Sequence, residues 1–351
     1  MEKIKVAIIG GGNISNTRHV PALKKLKDVE IVGVLSNVRE AAEGTAKKHR
    51  IKDFAIGIET AKDFKRLAEL DWFKKVDAVV IGTPPMTHYN IAKSMLELGK
   101  HVLVEKPMVM NEKEANTLID LAKKNKKVLY VMHNFMYADK MLKLNEIIES
   151  KKYGEIVSIN EMQFTNRNRR LPEWYNELPG GLFYDEAAHF VYLLEKHAGK
   201  LKVLNSFAQY DKKNEATPVL LSVNALAGKV PVQMFLNFNA PVCEWFYMVN
   251  FKKRIFIYDF FKDILVDLPT DNEHTAKDIL RNSMRQTRQY WTQFIGNGFK
   301  MVTGNLLYGH DKELGLFVDE IRGGKRSAET GGEAGKSTVV AMNEIIKKMG
   351  K

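Results

Sequence analysis

The feature that most constrains this chain is a regular alternation, from Ile4 to Met132, of short apolar runs with stretches of helical periodicity. Ile4 to Ile9 is apolar nearly throughout, as a strand covered on both faces should be. Gly10-Gly11-Gly12-Asn13-Ile14-Ser15 follows directly, and Val20, Leu23 and Leu26 then recur at helical spacing. Glu30 to Leu35 is a second strand, Ala41 to Arg50 a helix, and Thr60 to Leu70 another, with Phe64, Leu67 and Leu70 on one side. Val76 to Ile81 is a strand that ends in Gly82-Thr83-Pro84-Pro85-Met86-Thr87-His88, where two prolines force an extended loop. Ile91, Met95 and Leu98 mark a helix that Gly99 closes. His101 to Val104 is a strand, and Pro107 beyond it cannot donate to a ladder. Asn111 caps a helix carrying Ala115, Leu118, Leu121 and Ala122, and Val128 to Met132 is a strand again. This alternation specifies a parallel, doubly wound sheet, an α/β Rossmann domain over residues 1–132.

After His133-Asn134 the pattern changes. Met141 to Ile148 is helical and Gly154 to Thr165 is a longer strand. From Leu201 strands succeed one another: to Tyr210, Val219–Ala227, Val230–Asn239, Trp245–Asn250, Arg254–Tyr258 and Ile264–Leu268. Gly228-Lys229 reads as a hairpin turn. Glu273 to Leu307, Asp311 to Arg322 and Glu333 to Met349 read as helices, and Lys325 to Gly335 as the most loop-like stretch. Residues 133–351 are therefore expected to form an α+β domain with an open, mostly antiparallel sheet, which binds substrate and joins copies into a homo-oligomer, a dimer or tetramer. A chain of 351 residues is also too long for one ordinary core.

No apolar run approaches a membrane span, so no membrane partner is expected. The start runs straight into an apolar strand and glycines, unlike a signal peptide, and Cys243 is the only cysteine. Both fit a reducing cytoplasm. Cys243 falls in a strand-like segment and reads as a core residue. The net charge of +12 admits attraction to an anionic ligand or a lysine-rich solvated surface. The lysines are spread over helical faces, and the chain shows no nucleic-acid-binding motif, so no nucleic-acid partner is expected.

Strand, glycine turn and helix in succession are the elements of a dinucleotide site. Gly10 permits the turn, Gly12 lets the backbone approach a pyrophosphate, the helix N-terminus beyond presents N–H groups and a partial positive charge, and Asn13 and Ile14 are counted with the cofactor site. Ser15 stands where the pattern has its third glycine, and is small enough for close packing. Pro21 puts the helix start late, near Arg18 or Val20. At the end of the second strand, Ser36-Asn37-Val38-Arg39 replaces the usual carboxylate, and none appears until Glu40. Ser36 and Asn37 can bond a 2′-phosphate and Arg39 can pair with it, which favours NADP over NAD. Arg39 could equally be an exposed residue of the next helix.

Glu105-Lys106 sits where the strand His101 to Val104 emerges, so the lysine can meet both cofactor and substrate. Pro179-Gly180-Gly181-Leu182-Phe183-Tyr184-Asp185-Glu186-Ala187-Ala188-His189 breaks the chain and starts a helix. Asp185 and His189 are four apart, hence on one helical face, and a carboxylate beside an imidazole suits general acid–base work. A surface pair or a metal pair would show the same spacing, but Glu186 points elsewhere and His197 lies two turns on, so no metal ligands are assigned. Arg167, Arg169 and Arg170 with Trp174 could clamp an anionic substrate group or form a solvated basic loop.

Gly10-x-Gly12, Thr83-Pro84-Pro85-x-x-His88, Glu105-Lys106-Pro107 and Gly180-Gly181-x-x-x-Asp185-x-x-x-His189 occur in one order at fitting intervals. Together they resemble the glucose–fructose oxidoreductase / inositol dehydrogenase / rhizopine catabolism (Gfo/Idh/MocA) family. The likeness covers most of the chain and is strongest to about residue 190. It implies a Rossmann domain, then an open-sheet domain, with substrate between them, and hydride transfer between nicotinamide and a hydroxyl-bearing carbon of a sugar, sugar derivative or cyclitol. It implies that Thr83, Pro84, His88, Glu105 and Lys106 join the cofactor site, and that Lys106, Asp185 and His189 are catalytic. It further implies Asn134, Tyr137 and Tyr184 as substrate contacts. The alternatives are a glycoside-processing enzyme with tightly held NAD and no net redox change, and a non-catalytic NAD(P)-binding regulator.

Overall fold

The apolar run at the start of the chain becomes a buried strand, β1 (Ile4–Ile9), in the computed structural model of the protein. The structure describes residues 2–166, 168–169, 171–211, 216–271, 273–325 and 327–349. After β1 come β2 (Val29–Ser36), β3 (Asp53–Ile56), β4 (Ala78–Ile81), β5 (His101–Val104) and β6 (Leu129–Val131). They form one parallel sheet in the order β3-β2-β1-β4-β5-β6. The order reverses between β1 and β4, which opens a crevice at their carboxyl ends. The linking helices are α1 (Val20–Leu23), α2 (Arg39–His49), α3 (Ala61–Glu69), α4 (Asp71–Lys74), α5 (Pro85–Glu97) and α6 (Glu112–Lys124). Ala7, Ile9, Val79, Ile81, Val102 and Val104 share one buried cluster with residues of α3, α4, α5 and α6.

Two elements escaped the sequence reading. β3 is a four-residue edge strand with no fully buried residue, so it carries no continuous apolar run. α4 is a single turn after Leu70. The first helix also starts earlier than Pro21 suggested. Helical turns begin at Asn13, and Ser15–His19 is a π-helical turn in which the Val20 N–H donates to the Ser15 carbonyl. Pro21 has no N–H to place, and the wider turn accommodates it.

The remaining strands are β7 (Ile156–Phe164), β8 (Leu201–Gln209), β9 (Leu220–Ala227), β10 (Val230–Asn237), β11 (Glu244–Phe251), β12 (Arg254–Asp259) and β13 (Ile264–Pro269). They form a seven-stranded sheet in the order β13-β12-β11-β7-β10-β9-β8. Every pair is antiparallel except β7 with β10. Gly228, at φ +57°, turns β9 into β10 as expected. Buried residues alternate with partly buried or exposed ones along β9, β10 and β11, so one face is packed. With these strands go α7 (Asp139–Glu149), α8 (Leu182–Glu186), α9 (Ala188–Ala198) and α10 (Ala276–Val302), and α9 packs on β7, β8 and β9. Cys243 is not in the core. It is half-buried in the loop before β11, and its sulfur accepts from the Asn166 N–H.

The chain divides into two units, but not at a single boundary. Met1–Asn134 groups with Gly309–Val340, and Phe135–Tyr308 with Ala341–Lys351. The expected assignment of all of 133–351 to one domain thus differs from the observed division. α11 (His310–Ile321) returns to the first unit for a chemical reason: Glu313 accepts from the His133 N–H at 2.7 Å, and Arg322 pairs with Asp28 at 3.3 Å. α12 (Gly332–Lys348) then carries the chain from the first unit into the second. Among the described residues no helix is long and apolar enough to cross a membrane.

β7 places one acid on the packed face. Glu161 is 2% exposed and neither carboxylate oxygen has a hydrogen-bond partner among the described residues. Burial pushes this carboxyl well above the usual range. A raised folded pKa costs stability once the pH passes the unfolded value of about 4.3, and the cost grows up to the folded value. Glu161→Met should therefore raise the apparent Tm, with a margin over wild type that widens by a few degrees or more from pH 5 to pH 8. A margin independent of pH contradicts this.

Candidate active site

The glycine turn after β1 is shaped by its neighbours. Gly10 has φ +100°, and a Cβ there would stand 2.6 Å from the Gly82 carbonyl oxygen. A Cβ on Gly11 would stand 2.3 Å from the Ala41 oxygen. Gly12 differs, since its Cβ would meet nothing within 4 Å. A side chain at Gly12 would project into open space above the turn, where a pyrophosphate can approach the backbone. Asn13 and Ile14 follow as the first helical residues. Asn16 and Thr45, which the sequence did not single out, fix the turn. Asn16 Nδ2 donates to the carbonyls of Gly11 (3.1 Å) and Gly12 (3.0 Å), and Thr45 Oγ1 donates to Gly11 (3.0 Å). Ser15 is fully buried, as close packing requires.

At the end of β2, Ser36 accepts from the Val38 N–H at 3.2 Å, and Arg39 is exposed at the start of α2. Asn37 accepts from the Ile58 N–H at 2.8 Å and donates to Glu59 at 2.5 Å. The sequence put no carboxylate beside Asn37 before Glu40, yet the fold brings Glu59 there from the far side of β3.

After β4, Thr83 and Pro84 lead into α5, whose Thr87 hydroxyl donates to Thr83 Oγ1 at 2.7 Å. His88 was expected to meet cofactor. It is fully buried instead, with Nδ1 2.9 Å from the Pro107 carbonyl and Nε2 2.8 Å from the Thr83 carbonyl. Burial lowers its pKa against the pull of those carbonyls. His88 therefore ties the β4 loop to the β5 loop.

Glu105 leaves β5 almost fully buried. His19 Nε2 lies 2.8 Å from its Oε1, and the Lys106 N–H donates to its Oε2 at 3.2 Å. Burial pushes the carboxyl up, but the hydrogen bond from His19, with the charges of His19, His310 and Lys106, outweighs it and holds the pKa at about 2. His310 of α11 comes within 3.9 Å of the same oxygen. The ligand atoms of His19, Glu105 and His310 lie within 4.8 Å of one another. The donor set could take a cation, but the hydrogen bond from His19 already serves the carboxylate. Lys106 itself is partly exposed, beside the cis peptide bond to Pro107. Gly10, Gly12, Asn13, Ile14, Ser36, Asn37, Arg39, Thr83, Pro84, Glu105 and Lys106 thus all lie at the carboxyl edge of one sheet, and with the open cradle at Gly12 they fit a dinucleotide.

In the second unit, Gly180 and Gly181 both have positive φ, and Thr217 Oγ1 accepts from the Leu182 N–H at 2.9 Å where α8 begins. The expected single helix is interrupted at Ala187, so Asp185 belongs to α8 and His189 to α9. His189 is 8% exposed, with Nδ1 2.9 Å from the Tyr192 hydroxyl, which also accepts from the Phe135 N–H at 3.1 Å. Phe135 stands edge-on to its ring at 4.9 Å, and Trp245 lies at 5.9 Å. Asp185 is partly exposed. Tyr192 is a partner of His189 that sequence spacing did not single out.

Of the three arginines, only Arg169 lies among the described residues, and it has an internal partner. Arg169 binds Glu186, which is buried and also accepts from Thr165 (3.0 Å) and Gln163. Glu186 is therefore an internal anchor, and Arg169 is held by it. Arg167 and Arg170 lie outside the described residues. Trp174 is half-buried in the turn Glu173–Glu177. Tyr184 is fully buried in α8, Asn134 is buried and Tyr137 is partly exposed.

Residues 4–133 match the family model described as "Oxidoreductase family, NAD-binding Rossmann fold". The chain is similar to Oxidoreductase P35 of Formosa agariphila (28% identical over 208 residues, covering 57% of this chain and 62% of that protein). It is similar to scyllo-inositol 2-dehydrogenase (NADP(+)) IolW of Bacillus subtilis (25% over 263 residues, 73% and 69%). Against several other curated relatives the match spans about half of their length, as with the 50% for an uncharacterized oxidoreductase of Schizosaccharomyces pombe. Its fold resembles the crystal structure of the WlbA dehydrogenase from Bordetella pertussis in complex with NADH and UDP-GlcNAcA (TM-score 0.78, 17% identity, 99% of this chain and 96% of that one). The glycine cradle after β1 and the buried Glu105 behind Lys106 both lie within residues 4–133, the part of the chain that is similar to this NAD-binding oxidoreductase family.

Proposed function

We propose that this chain is an NAD(P)-dependent oxidoreductase that moves hydride to or from the hydroxyl-bearing carbon of a sugar, sugar derivative or cyclitol. The observation that carries this is Lys106, which leaves the end of β5 beside a buried, ionised Glu105 in a sheet whose switch-point turn is open at Gly12. The nicotinamide, when bound, supplies the hydride chemistry. Everything else falls to the chain. Gly10, Gly12 and the helix start hold the pyrophosphate. Lys106 donates a hydrogen bond to the oxygen that gains or loses carbonyl character, where a fixed cation stabilises developing negative charge. His189, with Asp185 and Tyr192 steadying it, takes or returns the hydroxyl proton. When Tyr192 accepts from Nδ1–H, Nε2 is left as the base. Asn134 and Tyr137 contact the substrate.

NADP is the proposed cofactor form, with Arg39, Ser36 and Asn37 on the 2′-phosphate. Glu59 opposes that preference, because a carboxylate beside Asn37 repels a phosphate and suits ribose hydroxyls. The open face of the β7–β13 sheet, which carries exposed Met162 and Phe207, is the proposed contact between copies in a homo-oligomer, with the protein working in the cytoplasm.

Oxidation of a panel of cyclitols and nucleotide sugars with NADP and NAD tests the activity. Lys106→Ala should lower turnover by at least ~100-fold with the fold intact, the usual scale for a positioned proton-handling group. Near wild-type rates would remove Lys106 from the mechanism. Arg39→Ala should weaken NADPH binding by about tenfold more than NADH binding, and Glu59→Gln should shift the ratio the other way, since one charge contact is worth about 1.4 kcal/mol here. Equal losses for both cofactors would mean that Arg39 does not read the phosphate.

A further inference from the structure

α10 is amphipathic in the inverted sense. β13 is an edge strand whose outer main-chain groups have no neighbouring strand. α10 covers that edge with amide side chains. Gln293 accepts from the Leu265 N–H (3.0 Å) and donates to the Leu265 carbonyl (2.9 Å), and Gln289 accepts from the Asp267 N–H (3.0 Å). Asn297 donates to the carbonyls of Lys262 and Asp263. The polar face of the helix is therefore the docked one. The opposite face is apolar and open: Leu280 is 62% exposed, Met284 64%, Trp291 54%, Ile295 69%, Phe299 74% and Val302 90%. The largest apolar patch on a soluble monomer is usually about 300–600 Å². Six such side chains on one 27-residue helix form a stripe that calls for a partner.

The charges say which partner. The helix carries Lys277, Arg281, Arg285, Arg288 and Lys300 against one carboxylate of its own, Asp278, which caps the helix and pairs with Arg281; Asp267 of β13 answers Arg285 and Asp139 answers Lys300, so the helix surface stays net cationic. Arg281, Arg285 and Arg288 also line, with Met284 and Pro269, a groove of about 440 Å³ beside the stripe. Two copies of α10 set together would bring the cationic surfaces of both helices against each other, with Asp278 and Asp267 already engaged by Arg281 and Arg285. A surface of anionic headgroups over acyl chains matches both features, since phosphates suit the arginine groove and the acyl boundary suits Trp291, Ile295 and Phe299. We propose that α10 attaches this protein to an anionic membrane surface, lying in the headgroup plane without crossing the bilayer.

Flotation of the full chain with vesicles tests this. Wild type should float with phosphatidylcholine vesicles containing about one third phosphatidylglycerol, and not with phosphatidylcholine alone. Ile295→Glu should lower the bound fraction by about tenfold or more, and Arg281→Ala with Arg288→Ala should make the residual binding weaker and less salt-sensitive. Both sites are exposed, so near-native circular dichroism and unchanged NADPH affinity should accompany these losses. Two results would overturn the proposal. One is no flotation with either vesicle. The other is a wild-type oligomer that Ile295→Glu dissociates, which would make a second copy the occupant of the stripe.

Discussion

A buried negative charge has to be answered, and the first unit is arranged around answering one. Glu105 sits at the mouth of β5 with its carboxylate out of water. His19 comes to it from the helix after the glycine turn, His310 from α11, and the Lys106 N–H from the next residue. A buried carboxylate left without those partners would cost several kcal/mol. With them its folded pKa falls to about 2, below an unfolded value of about 4.3. The stabilisation is therefore present above the unfolded value and lost as pH falls toward 2. It also fixes the direction in which the backbone of Lys106 leaves the sheet.

The same contact links two functions of one turn. The π-helical turn Ser15–His19 follows directly on the glycine cradle, so the element proposed to hold a pyrophosphate also delivers His19 to Glu105. Asn16 and Thr45 hold the cradle from behind, and His88 ties Thr83 to Pro107. Rigid support of this kind suits a site that must align a hydride donor and acceptor to within about an ångström. The second unit uses a different device for His189, which is enclosed by Phe135, Trp245 and Tyr192 so that little water reaches it.

What the sequence revealed and what it hid follow from one distinction. Strand–turn–helix order, the glycine turn, Glu105-Lys106-Pro107 and the later run of strands are local patterns, and each appears in the structure with boundaries shifted by a residue or several. Contacts between distant residues left no local trace. Glu59 reaches Asn37 across 22 residues, and His310 reaches Glu105 from the far end of the chain. Arg169 looked free for a ligand because its partner, Glu186, seemed by helical phase to point away. The return of α11 to the first unit was hidden for the same reason, since it depends on Glu313 and Arg322 finding His133 and Asp28.

The most direct measurement is a fluorescence titration of NADPH and NADH against wild type and Gly12→Val, with acid extraction to reveal any nucleotide already held. The valine would enter the open space above the turn without disturbing the core. The account predicts one site per chain in wild type and binding at least about tenfold weaker in the variant at unchanged thermal stability. Equal binding by both proteins, or none in a wild type that releases no nucleotide, would contradict it.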